Sequence, residues 1–322
     1  MRALIVIVVL WSLTACAGHR DAQSTIPIVK PPSKIPSGLI LDRQITGNIL
    51  GYDLNRPSGL ALNSLGDLYI ADAGNNRVVK LDRHFQPVRD LGGFGEGYGR
   101  FQDPGDMVMD RDLSLYVLDR GNRRVVQLDA NLGFVEVITP EDAANELISN
   151  LGRLAGVAVL SFGEIVVADN DNSRLIRLDN MRKFSRYIGD FGYGSGALLN
   201  PEGIALDRDG RIYVADGGNG RIAVYDNYGN YTGGIGKDVL ERPTAVTVAF
   251  DGVIWVGDQA TQALYAFAPD GKLLQQISQA GEDGQSFSDI EALSLSPDGV
   301  LYVADSGHNR VLVYHIVYEE SR

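Results

Sequence analysis

The chain has 322 residues and a formal net charge of −12. An acidic surface repels a phosphate backbone, which excludes general nucleic-acid binding. A single cysteine, Cys16, rules out a disulfide framework within the chain.

Taken in order, Met1-Arg2 is a short basic start and Ala3–Leu13 an apolar run of secretory h-region length. That run is too short for a membrane span of about 20 residues. Leu13-Thr14-Ala15-Cys16 resembles a bacterial lipobox. On that resemblance residues 1–15 are a lipoprotein signal peptide and Cys16 is the lipidated, palmitate-bearing first residue of the mature chain. Ala15-Cys16-Ala17 also fits the small-x-small pattern of ordinary signal cleavage. The position of the chain's one cysteine favours the lipoprotein. Ala17, rather than Asp, after it resembles an outer-membrane address facing the periplasm. Residues 16–37 have no periodicity and carry four prolines, so they read as an extended tether reaching about 60 Å at most.

From residue 38 to 318 one unit repeats. Asn200–Asp226 reads NPEGIALDRDGRIYVADGGNGRIAVYD, and five related stretches start at Arg56, Asp103, Arg153, Arg242 and Asp289. Their aligned aspartates, Asp72, Asp119, Asp169, Asp216, Asp258 and Asp305, are 47, 50, 47, 42 and 47 residues apart. A period in the forties built of short apolar runs and turns predicts an all-β, six-bladed propeller. Within the unit Glu202–Leu206 is the inner strand, Arg211–Ala215 the second and Arg221–Tyr225 the third. The second strand is apolar on both faces, so both faces are buried, as radial packing requires. Polar stretches such as Lys183–Tyr187 and Asn230–Gly233 suit outer strands, whose exposed edges need blunting. The last unit has no outer strand of its own. Leu39–Thr46 has that character, so the N-terminal segment is expected to close the ring. Thr139-Pro140-Glu141-Asp142 carries helix-start chemistry and predicts a short helix over 143–147. Residues 319–322 are a tail.

The repeat resembles the NHL family, on GDLYIADAGNNRV at Gly66–Val78, GRIYVADGGNGRI at Gly210–Ile222 and GVLYVADSGHNRV at Gly299–Val311. The resemblance implies an NHL-type six-bladed propeller and leaves activity open, because one fold hosts many functions. The six aspartates are expected to cap tight turns, accepting orphaned backbone N–H groups. Arg77, Arg124, Arg174, Arg221 and Arg310, each five residues on, are expected to pair with them. Ala263 breaks the pattern in blade 5. Tyr69, Tyr116, Tyr213, Trp255 and Tyr302 form an inter-blade core column, with Val166 in blade 3. The Gly92–Gly99 and Gly189–Gly196 runs open no helix in a βαβ unit and read as inter-blade crossings. Asp169–Ser173 starts like a calcium loop but lacks its glycine and glutamate, so it reads as a turn.

Positions that vary while the scaffold repeats are where a ligand could be encoded. At the channel mouth formed by inner-strand starts and strand two–three loops these are Ser58, Asp106, Glu202, Thr244 and Glu291, with Arg120, Asp171, Gln259 and His308 just outside. Asp106, Glu202 and Glu291 are expected to repel one another there and so be harder to ionise. Two functions follow. The first is a non-catalytic binding or scaffold module of the cell envelope. It would be a monomeric domain, tied to the membrane through its lipid alone, with a protein, peptide or glycan partner. The second rests on the family resemblance, which implies lyases with zinc held by histidines and lactonases with calcium. His19, His84, His308 and His315 are too scattered for a three-histidine zinc site. Calcium, with Asp106, Glu202 and Glu291 as its first ligands, is the cofactor this second reading requires. No catalytic set is readable in the sequence.

Overall fold

The computed structural model describes residues 34–140, 151–189, 194–281 and 285–320. Six four-stranded antiparallel sheets are arranged as the blades of a propeller. Blade 4 shows how the sequence dictates the unit: its strands are Pro201–Leu206, Ile212–Asp216, Arg221–Tyr225 and Tyr231–Ile235. Ile212 and Val214 pack against blade 3, whereas Tyr213 and Ala215 pack against blade 5. The two-faced apolar strand is thus buried on both sides, as its composition requires. The first turn of the unit closes at Gly210, with φ +78°. The second is a 3-10 turn over Gly217–Asn219, ended by Gly220 at φ +58°.

Six apolar clusters fill the six gaps between adjacent blades. The gap between blades 6 and 1 is as well filled as the others, with Ile45, Leu60, Ile70, Ala292, Tyr302 and Val313 meeting in it. The ring is therefore closed without an axial break. Closure uses the N-terminal strand, Lys34–Ile45, which pairs antiparallel with Arg310–Glu320 as the outer strand of blade 6. Both strands run further than the 38–318 span expected from the repeat. The register of this long edge pair shifts at two bulges, Pro36/Gly38 and Leu41/Arg43. The core column Tyr69, Tyr116, Val166, Tyr213, Trp255 and Tyr302 is buried throughout. Outer strands such as Pro87–Gly92 are exposed to half-buried.

Residues 1–33 lie outside the described residues, with the signal segment, Cys16 and most of the tether. So do residues 141–150, which hold the expected helix, and 190–193, part of the second glycine-rich run. The first glycine-rich run is an inter-blade crossing, held by a bridge between Phe94 and Phe101.

Candidate functional site

Each turn between strands two and three is built on its aspartate. Asp72 is fully buried; Oδ1 accepts the Asn55 N–H at 2.8 Å, and Oδ2 accepts Asn75 Nδ2 at 2.9 Å and Arg77 Nε at 2.8 Å. Asp119, Asp169, Asp216 and Asp305 repeat the arrangement, with their arginines Arg124, Arg174, Arg221 and Arg310 at 2.7–3.0 Å. One carboxylate thus ties its own turn to the crossing 17 residues upstream. Blade 5 solves the same problem without arginine. Asp258 accepts four backbone N–H groups, from Glu241, Arg242, Ala260 and Thr261.

The nine residues expected at the ligand face occupy that end of the propeller, and most are bound to the protein itself. Ser58 is buried, its Oγ donating to the Pro104 carbonyl of the next blade at 2.7 Å. Thr244 Oγ1 makes the equivalent bond to Ile290 O at 2.5 Å. Asp106 accepts the Val157 N–H of blade 3 at 3.0 Å and the Met107 N–H at 2.9 Å. Glu202 is held by Arg153 at 2.7 Å and Asn170 at 3.1 Å. Glu291 accepts from Arg120 Nη1 at 3.1 Å, an ion pair joining blade 6 to blade 2 past blade 1. Arg120 Nε also faces Asp103, while its buried Nη2 has no partner among the described residues. Asp171 accepts the Arg153 N–H, Gln259 donates to Asp289, and His308 Nδ1 lies 3.0 Å from Asp305. This end is a girdle of inter-blade ties.

The expected mutual repulsion of three carboxylates is corrected. Burial, not a neighbouring carboxylate, pushes Asp106 up to about 7; the Val157 and Met107 N–H groups and the Arg120 charge offset it in part. Burial likewise raises Glu202, against Arg153. Glu202 and Glu291 each have an arginine partner, and Asp106 has backbone donors, so they do not form a cation cage. Among the described residues no three His, Cys, Asp or Glu side chains are grouped to hold a metal ion. The residues present do not fit the calcium that the alternative, lactonase-like reading would require.

The channel opens at the opposite face, where the strand one–two turns lie. A cavity of about 1030 Å³ is lined by the inner strands of all six blades. It runs from Asp106 and Glu291 at the girdle to the strand one–two turns, where exposed residues such as Asp112 and Phe162 line it. Its charged lining comprises five carboxylates, Asp106, Asp110, Asp112, Asp207 and Glu291, against the guanidinium groups of Arg111 and Arg182. Arg182 is already engaged by Glu136, the Gly163 carbonyl, Tyr116 and Gln127. Turn tips on this face carry exposed apolar side chains: Leu65 at 69 %, Phe162 at 90 % and Phe250 at 74 % exposure, with Met181 and Tyr228 in strand three–four turns. Apolar residues at positions that favour Asn, Asp and Gly were the sequence signal that could have found this face.

These features define a six-bladed β-propeller with NHL repeats. The NHL repeat matches residues 54–81, 198–225 and 287–314, which are blades 1, 4 and 6. The protein brain tumor of Drosophila melanogaster is 27 % identical over 125 residues, 38 % of this chain and 12 % of that protein. The similarity therefore spans about an eighth of that relative's length. Among solved structures, streptogramin B lyase superposes with a TM-score of 0.63 at 12 % identity, covering 85 % of this chain and 98 % of that one. A catalytically inactive virginiamycin B lyase from Staphylococcus aureus with quinupristin gives 0.62 at 13 %, covering 86 % and 87 %. A protein of unknown function from Bacteroides thetaiotaomicron gives 0.64 at 13 %, covering 89 % and 76 %. At these identities the resemblance is one of fold.

Proposed function

We propose that the protein is a non-catalytic binding module of the bacterial cell envelope. It is held at the outer membrane, facing the periplasm, by lipid on Cys16, and its propeller presents one face to an envelope partner. The observation that carries this reading is the set of exposed apolar turn tips, Leu65, Phe162 and Phe250, on the face where the channel opens. The girdle end also exposes apolar side chains, at Tyr52, Phe94 and Tyr98. Those at Leu65, Phe162 and Phe250 differ in standing around an open cavity, so one partner can engage the cavity and its apolar margin together. The girdle at the other end spends its polar groups on holding the blades together. The test is Phe162→Asp with Phe250→Asp in the full chain, comparing thermal melting and co-purification of envelope proteins. Both positions are solvent-exposed, so stability is expected to change by about 0.5 kcal/mol or less, with loss of a specific co-purifying partner. An unchanged set of partners contradicts the assignment of this face.

A second reading, a propeller enzyme, draws on Asp106. A carboxyl poised near neutral pH in a cavity is suited to proton transfer. On this reading calcium is not the cofactor, because Glu202 and Glu291 are taken up by Arg153 and Arg120. Neither reading expects melting to respond to calcium.

A further inference from the structure

Asp106 stands in a column where every other blade has a small residue. The aligned positions are Gly59, Gly156, Gly203, Ala245 and Ala292. Only blade 2 sets a carboxyl at this depth of the channel. The next position of each inner strand forms an apolar collar: Leu60, Met107, Val157, Ile204, Val246 and Leu293, one per blade, all lining the cavity. Beyond the collar, at the open end, come Asp110, Asp112 and Asp207, and then the exposed Leu65, Phe162 and Phe250. From bottom to rim the channel therefore offers Asp106 and Glu291 beside Arg120 at the floor, then an apolar shaft. Above these come a rim where Asp110, Asp112 and Asp207 outnumber Arg111, and an apolar margin where Arg208 lies over the Phe250 ring.

Resting on the binding-module reading, we infer that this channel receives a lysine or arginine side chain from a segment of a partner protein. The side chain enters from the strand one–two face, with its cationic end at Asp106. A methylene stem with a terminal charge matches the order of groups along the shaft. Five carboxylates against Arg111 and the already engaged Arg182 leave the lining net negative, and a net negative concave wall concentrates cations. The cavity, about 1030 Å³, is at the upper end of the about 300–1,000 Å³ typical of ligand pockets, so it admits a side chain together with part of its backbone. A protein segment is favoured over a small amine because the apolar tips lie outside the shaft, where only a larger partner reaches them.

The surroundings of Asp106 leave it short of positive charge. Arg120, from the strand two–three turn of its own blade, is the charged group that acts on it. Arg120 is itself shared with Asp103 and Glu291, and Glu202 is held by Arg153. The strands flanking it contribute backbone N–H groups from Val157 and Met107. The carboxyl consequently stays at about 7. A bound ammonium or guanidinium favours the ionised form, so binding releases a proton below that pH and tightens as pH rises through it.

The test uses the full-length protein in detergent and three probes: the capped pentapeptide Leu-Phe-Lys-Phe-Leu, the same peptide with norleucine in place of lysine, and n-butylamine. Binding is read by isothermal titration calorimetry at pH 5.5 and pH 8. The lysine peptide is expected to bind roughly thirtyfold more tightly at pH 8, from the ionised fraction of a group titrating near 7. The norleucine peptide is expected to lose most of the affinity and all of the pH dependence. Asp106→Asn is expected to remove the pH dependence while Phe162→Asp keeps it at lower affinity. Equal binding of the lysine and norleucine peptides to the unaltered protein overturns the inference, whether or not Asp106→Asn folds. Butylamine binding as tightly as the lysine peptide overturns the assignment to a protein segment. If the peptides fail while the Phe162/Phe250 double variant still loses its envelope partner, the face is right and the cationic anchor is wrong.

Discussion

Replacing Asp106 by Asn should reverse the order of stability between parent and variant as pH changes. In the folded protein burial raises the Asp106 carboxyl from 3.8 to about 7. The native state therefore holds this proton more tightly than the unfolded chain. Its contribution is fully present below about pH 4 and is lost as pH rises to about 7, with no further change above. Three units at about 1.4 kcal/mol each give a loss on the order of 4 kcal/mol across that window. Asn carries no titrating group and escapes the loss. It brings a cost that does not depend on pH: its single carbonyl oxygen can satisfy one of the two N–H groups now bound, Val157 or Met107. An unpaired buried donor costs about 1–3 kcal/mol. The variant should be the less stable protein at pH 4.5 and the more stable one at pH 8. Urea unfolding followed by circular dichroism at pH 4.5, 6 and 8, without peptide, measures the difference. A gap between parent and variant that stays constant with pH would refute the reasoning.

Three other outcomes follow from the fold and the amino-terminal sequence. Asp216→Ala should cost about 1–3 kcal/mol in urea unfolding, since it strands the Leu199 N–H, Asn219 and Arg221; an unchanged midpoint would mean that the turn does not depend on its carboxylate. Deleting residues 34–45 removes the outer strand of blade 6 and bares the Arg310–Glu320 edge, which should consume most of a net stability of about 5–15 kcal/mol; a deletion that melts like the parent would contradict ring closure. Cys16→Ser should release the protein from the detergent phase or leave its precursor uncleaved, whereas soluble mature chain starting at Gly18 would point to ordinary signal cleavage.

The parts legible in the sequence were those that repeat. Ile212, Tyr213, Val214 and Ala215 announce a strand buried on both faces, and the aspartate–arginine interval of five announces a tied turn. Even the closing strand could be deduced, because the last repeat lacked a partner and Leu39–Thr46 had the right character. Contacts between repeats were not legible. Nothing in the sequence says that Ser58 and Thr244 turn toward the carbonyls of the next blade, or that Glu291 reaches Arg120 across an intervening blade. A Cβ on Gly59 would collide with the Gly105 carbonyl, and one on Gly156 with that of Glu202. Neighbouring inner strands therefore approach closely at their starts, and the expected mouth is a girdle. The open end was hidden because its residues also satisfy turn chemistry: Asp110 and Asp207 accept the N–H groups of their own turns. Asp106 is legible in the sequence as a variable position, but its placement in a column of small residues, one step deeper than Ser58 and Glu202, shows only when the strands are in register.

The central claim is that the partner binds where the channel opens. Photo-crosslinking in intact cells tests it, with a photoreactive amino acid placed at Phe162 on that face, at Tyr98 on the opposite face, or at Val88 on the rim, three exposed positions. The account predicts a discrete adduct from Phe162 and none from Tyr98 or Val88. An adduct from Tyr98 without one from Phe162 would contradict it and return the binding face to the Arg120–Glu291 end.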